Sequence, residues 1–141
     1  MTRRGDVLNE ARNWIGTPYR HQGSLLGVGC DCLGLVRGIW RALYGREPEL
    51  AGAYAADWAE ARDDDPLIEA AQRHFGEVPV VAAKPGDLLI FRWRPHLPAK
   101  HLGILSGPSE FIHAYEGHAV LASPLVPHWR RKVAAAFVFP S

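Results

Sequence analysis

The chain has 141 residues, 48% of them hydrophobic and 22% charged, with a net charge of +1. This length suits a single domain, 1–141, which buries roughly 70% of its unfolded surface and needs no covalent staples. A near-neutral charge gives no electrostatic case for nucleic acid or an anionic membrane, and two cysteines make no disulfide framework.

The opening stretch, MTRRGDVLNEARNWIG, is too interrupted by Asn9, Glu10, Arg12 and Asn13 to be a secretory signal or a membrane span. It reads instead as an amphipathic helix over 6–15. Asp6 is placed to cap it, Val7, Leu8, Ala11, Trp14 and Ile15 form its apolar face, and Gly16 ends it. GTPYRHQGSLLGVG reads as a loop, broken by Pro18 and its glycines. Helical spacing returns from Cys32 to Tyr44, with Val36, Trp40 and Leu43 on one side and Gly45 as the C-terminal stop. REPELAGAYAADW is irregular. In ARDDDPLIEAAQRHFG the acidic run reads as a solvated helix start, with Asp65 at the cap, Pro66 at the first helical position and Gly76 closing the helix.

The character then changes. GDLLIFRW, HLGILSG, EFIHAY, HAVLASPL and VAAAFVF are short apolar segments separated by turn-forming residues, and they read as consecutive antiparallel strands. Helices first and strands second define an α+β domain, with N-terminal helices packed on a C-terminal antiparallel sheet.

Both cysteines fall in GVGCDCLGLVRG, one residue apart. A disulfide between Cys30 and Cys32 would close a very small, strained ring. Cys32 sits where a glycine loop gives way to a helix. Unpaired N–H groups and the helix dipole there favour a thiolate, so its pKa is expected below that of an ordinary thiol. Cys30, in the preceding loop, lacks that help and reads as a packing residue. A nucleophilic cysteine needs a base and a group to orient that base. If HLGIL and FIHAY pair as a hairpin through SGPSE, His101 and His113 face the same way on neighbouring strands. His101 then takes the thiol proton, and His113 fixes its tautomer. The competing reading makes Cys30, Cys32, His101 and His113 four zinc ligands, although Cys-x-Cys is a poor spacing for one. His21, His74, His96, His118 and His128 read as surface or loop residues, with His21 able to line a cleft. Trp93 is placed to face the same groove, and the other tryptophans read as core or core-edge.

Taken together, GTPYRHQG, GCDCLGLVRGIW, PGDLLIFR, KHLGILSG and FIHAYEG resemble the NlpC-type cysteine peptidases. These are papain-like enzymes that cut the peptide stems of bacterial cell walls. The resemblance runs from Trp14 to about Pro140, and it is nearest to a compact branch encoded among the tail genes of phages and gene transfer agents. It implies a papain-like α+β fold and hydrolysis of peptidoglycan stem peptides through a thioester, with no cofactor and no metal. It makes Cys32 the nucleophile, His101 the base and His113 the orienting residue. Tyr19 becomes an oxyanion donor beside the Cys32 N–H, and Asp31 a residue that helps bind the substrate amine. Leu33 departs from the pattern, because many members carry a serine there to hold the free amino end of the stem. The resemblance also implies a tail or tail-tip partner, with the protein in the cytoplasm before assembly and in the particle afterwards. No nucleic-acid partner and no membrane insertion are expected. The other classes are an inactive tail-tip module on the same fold and an acyltransferase of the same superfamily.

Overall fold

The computed structural model describes residues 2–48 and 65–141. The expectations for most of REPELAGAYAADW, for Trp58 and for the first part of ARDDDP lie outside the described residues. Helix α1 spans Arg4–Trp14, and it starts two residues earlier than Asp6 suggests. Asp6 lies in its first turn and pairs with Arg3 at 3.1 Å instead of capping it, where an acidic side chain meets the positive end of the helix. Val7, Ala11 and Trp14 are buried, whereas Ile15 is past the helix and exposed.

Two short strands, β1 (Ser24–Leu25) and β2 (Gly29–Cys30), form a small antiparallel flap inside the stretch expected to be loop. Helix α2 spans Cys32–Tyr44, as its spacing indicates, and ends on Gly45 in the left-handed region at φ 75°. Its apolar stripe, including Val36, Ile39 and Trp40, is buried against the sheet core. Helix α3 spans Pro66–His74. Asp65 occupies its N-cap position, but its carboxylate accepts from the Ala99 N–H at 3.1 Å and pairs with Arg92 at 2.6 Å. It therefore ties the start of α3 to the chain just before His101.

The main sheet has six strands: β3 (Gly76–Val78), β4 (Leu88–Phe91), β5 (His101–Gly107), β6 (Glu110–Ala114), β7 (Val120–Pro124) and β8 (Val133–Val138). Their order is β3-β8-β4-β5-β6-β7, and every pairing is antiparallel. The α+β class holds, but the strands are not all neighbours in chain order. After β7 a single-turn helix, α4 (Pro127–Arg130), carries the chain back so that β8 enters between β3 and β4. VAAAFV is apolar on both faces, as suits an interior strand with a partner on each side. Gly76, expected only to close the helix, begins the short edge strand β3 and pairs with β8.

The sheet separates two apolar layers. Leu88, Ile90, Leu102, Ile104, Ile112 and Phe137 join α1, α2 and α3 in the main core. The alternating residues Leu89, Phe91, Leu105 and Phe111 build a smaller layer on the opposite face, covered by Leu125 and Trp129. Burial on both faces explains why these strands lack a clean polar–apolar alternation. A buried ion pair closes the molecule. Asp87, fully buried before β4, accepts from Arg4 Nε at 2.8 Å and Nη2 at 3.2 Å, and from the Lys84 N–H at 2.8 Å.

Candidate active site

Asp31 is the N-cap of α2, and its Oδ1 accepts from the Gly34 N–H at 2.8 Å. Its Oδ2 accepts from the Gln22 N–H at 2.6 Å and lies 3.9 Å from His21 Nδ1. One buried carboxylate therefore holds both the helix start and the preceding loop, and fixes where Cys32, the first helical residue, points. Gly34 has to be glycine, because a β-carbon there would collide with the carbonyl oxygen of Gly23 in the preceding loop. Ser24 donates to the Gly34 carbonyl at 2.7 Å, and Arg41 donates to the Ser24 carbonyl at 2.8 Å, which clamps the flap onto α2.

Tyr19 stands in the same loop. It bridges in parallel to Cys30, with the Cys30 N–H donating to Pro18 and the Arg20 N–H to Cys30, each at 3.0 Å. Cys30 is fully buried in this bridge, and burial pushes its thiol up to about 12. Its role is packing, as its loop position suggested.

The histidines come from the hairpin. β5 pairs with β6 through Ile104↔Ile112 and Leu105↔Phe111, and His101 Nε2 lies 2.8 Å from His113 Nδ1. Gly103, between them on the same face, leaves room for Phe111, whose ring would lie 2.9 Å from a β-carbon there. Both rings sit in an aromatic layer. Trp93 stacks on His101 at 5.4 Å, Phe111 lies 4.2 Å from His113, and Trp129 lies within 6 Å of both. The other nitrogen of His113, Nε2, lies 2.8 Å from the Ser123 hydroxyl.

Cys32, Tyr19, Asp31, Leu33, His101 and Trp93 line one cleft of about 310 Å³, with Lys100, Tyr115, Glu116 and His21 completing the wall. His113 stands behind His101, fully buried. The Cys32 thiol donates to the carbonyl of Lys100, the residue before His101, at 3.8 Å. The expectation of a lowered thiol pKa is overturned. Burial, and next the Asp31 charge, push Cys32 up to about 12, against a smaller opposite pull from the backbone N–H groups of Leu102, Leu33 and Cys32 itself. Burial, reinforced by His113, pushes His101 down to about 3, and burial alone takes His113 down to about 4. The resting site therefore holds a thiol and two neutral imidazoles, because burial disfavours a thiolate at Cys32 and an imidazolium at either histidine. Burial and the negative neighbourhood raise Tyr19 to about 12, so its hydroxyl keeps its proton and remains a donor.

The zinc alternative finds no support in this geometry. Among the described residues no three or more His, Cys, Asp or Glu side chains gather to hold a metal ion, and both ring nitrogens of His113 are already engaged. The residue that sequence reasoning missed is Ser123, whereas Trp129 packs at the edge of the smaller core layer, as expected. Ser123 stands two positions beyond Leu121, the residue opposite His113, and so shares its face. Only the register of β6 on β7 reveals that.

A half-buried thiol at a helix start and a tyrosine share one cleft with a histidine that a second, buried histidine backs, and this is a papain-like hydrolase arrangement. The profile of the NlpC/P60 family matches residues 16–138, and the chain belongs to that family. It is 31% identical to the gamma-DL-glutamyl hydrolase of Bacillus subtilis, over 90% of this chain and 27% of that protein. It is 30% identical to the probable endopeptidase NlpC homolog of Haemophilus influenzae, over 89% of this chain and 55% of that one. The chain thus spans between a quarter and about half the length of these curated relatives. Among solved structures, the NlpC/p60 domain of the peptidoglycan hydrolase SagA superposes with a TM-score of 0.66 at 27% identity, covering 98% of each chain.

Proposed function

We propose that the chain is a cysteine endopeptidase that hydrolyses peptide bonds in peptidoglycan stems. The observation that carries this reading is His101 in the wall of the Cys32 cleft, backed at 2.8 Å by His113. His113 occupies Nε2 of His101, so Nδ1 is the nitrogen left to work. His101 Nδ1 takes the Cys32 proton as the sulfur bonds to the scissile carbonyl carbon. The carbonyl oxygen becomes an oxyanion, which the Tyr19 hydroxyl and the Cys32 N–H stabilise by donation. The tetrahedral species collapses, the C–N bond breaks, and His101 returns its proton to the departing amine. Water then attacks the thioester while His101 accepts its proton. The acid is released as the thiol is restored.

Because burial keeps both groups neutral, proton transfer accompanies attack rather than preceding it. Asp31 serves this chemistry from behind. Both of its oxygens accept from backbone N–H groups, so it acts first by holding Cys32 in place, and Glu116 adds a second carboxylate to the cleft lining for a substrate amine. Leu33 puts an apolar wall where other members carry a serine, so the stem's amino end is held without that hydroxyl.

Support for the substrate class comes from relatives named for gamma-DL-glutamyl hydrolysis and for murein endopeptidase activity. Incubation with purified peptidoglycan is the test, with Cys32→Ala as control. Release of fragments with new amine and carboxyl ends, identified by mass, is expected only from the native chain, and their masses name the bond. Identical fragment profiles from both would overturn the reading. Delivery by a phage-like tail rests on the sequence resemblance alone, and such tethering would supply a high local concentration at the wall. Proteomics of purified particles tests it: the chain at low copy supports delivery, whereas free periplasmic enzyme and empty particles refute it.

A further inference from the structure

The geometry points to Ser123 as a positioning residue: its hydroxyl accepts the Nε2 proton of His113 and so keeps His113 Nδ1 free to accept from His101. This rests on the reading of His101 as the base. The argument is one of proton counting along a chain of three groups. Between His101 Nε2 and His113 Nδ1, 2.8 Å apart, lies one proton. If it belongs to His101, then neutral His101 carries none on Nδ1 and can accept from the thiol. If it belongs to His113 Nδ1, then His101 is protonated on Nδ1 instead and cannot act as base.

Which arrangement holds is set at the far end of the chain. A neutral His113 with a bare Nδ1 must carry its proton on Nε2, and among the described residues the side chain bonded to that nitrogen is Ser123, at 2.8 Å. His113 is fully buried, so an Nε2–H without this acceptor would be a costly orphan. Ser123 itself is half-buried on β7, the outer strand of the sheet, so its own hydroxyl proton can point toward solvent while a lone pair accepts. The reverse orientation, with Ser123 donating to His113 Nε2, corresponds to the unproductive tautomers. The hydroxyl thus supplies the acceptor that the productive arrangement needs, and its removal penalises that arrangement alone. The strand register makes this possible: His113 lies opposite Leu121, Phe111 lies opposite Ser123, and the bond runs on the diagonal between them.

The test uses Ser123→Ala and Ser123→Thr in the full chain. Nitrogen-15 NMR of the histidine rings is expected to show His113 with its proton on Nε2 in the native protein and in Ser123→Thr. In Ser123→Ala that signal should shift toward the mixed-tautomer range. On peptidoglycan fragments, Ser123→Ala is expected to lower kcat about tenfold, the worth of one such hydrogen bond, with KM unchanged. Ser123→Thr is expected to retain most activity. In a His113→Asn background, which has no Nε2, Ser123→Ala should cause no further loss. An unchanged His113 ring signal in Ser123→Ala would overturn the inference, and so would an equal loss in both backgrounds, which marks a purely structural role. If the native chain proved inactive, the base assignment would fall, while the ring signals would still decide whether Ser123 holds the proton.

Discussion

Cys30 and Cys32 stand one residue apart and differ in what surrounds them. Cys30 is sealed in the bridge to Tyr19, whereas Cys32 opens on the cleft. Cys32→Ala should reduce hydrolysis to background while leaving the thermal midpoint nearly unchanged, and Cys30→Ser should keep most activity; paired assays and melting curves check both. Because burial and Asp31 hold the Cys32 thiol up at about 12, iodoacetamide labelling should be slow at pH 5–7 and climb through the alkaline range. Fast labelling at acidic pH would reveal a thiolate–imidazolium pair instead. The two histidines should also separate. His101→Ala removes the proton carrier and should cost about 10²–10⁴ in kcat/KM. His113→Ala leaves the carrier poorly oriented, and His113→Asn should recover part of the loss, because an amide oxygen can accept the same bond.

At the scale of elements, the site depends on how the flap sits on α2. The approach of the Gly23 carbonyl to Gly34 is too close for any side chain. Gly34→Ala should therefore destabilise the fold by about 1–3 kcal/mol, the usual cost of overpacking against backbone that must move. It should lower kcat as well, since the same loop carries Tyr19 and is tied to Asp31. Denaturant midpoints and steady-state rates on one preparation check both effects. The hairpin is the second element that matters. The 3.6-residue pattern of α2 and the turn SGPSE are local signals, so the helix bounds and the His101–His113 pairing were legible from sequence. The β1–β2 flap and β3 were not. Two- and three-residue strands carry no periodicity, and they exist only because another segment supplies partners for their backbone groups.

At the scale of the whole molecule, Arg4 and Asp87 tie the N-terminal helix α1 to the start of β4. Arg4→Ala leaves a fully buried carboxylate without its cation and should cost about 3 kcal/mol in denaturant unfolding. Arg4→Lys should recover only part, since a lysine cannot make the bidentate contact. The buried histidines add a pH dependence of known sign. Their folded pKa values, about 3 and about 4, lie below the ordinary value of about 6.5. The unfolded chain therefore binds more protons at acidic pH. Stability from these two groups is complete above about pH 6.5 and falls steadily as pH drops toward 4 and 3. Urea midpoints measured from pH 8 to pH 4 should decline, and the decline should be shallower in His101→Gln and His113→Gln.

What the sequence by itself determined is whatever depends on neighbours along the chain. The helix from Cys32 to Tyr44, the Gly45 stop, the α+β order and the hairpin that aligns His101 with His113 all follow from spacing and turn chemistry. Tertiary structure decided what depends on groups distant in sequence. Asp65 looked like a helix cap, but Ala99 and Arg92, more than 25 residues on, draw its carboxylate away. Strand β8 looked like the next strand of a meander, but the open edge of β4 and two apolar faces drew it into the interior. Cys32 looked like a thiolate because a helix start favours one locally. Packing around the sulfur strips water that would have solvated its charge, and this desolvation outweighs the pull of the helix-start N–H groups. The partner of His113 at Ser123 likewise exists only through the register of two strands, a relation that no spacing along the chain encodes.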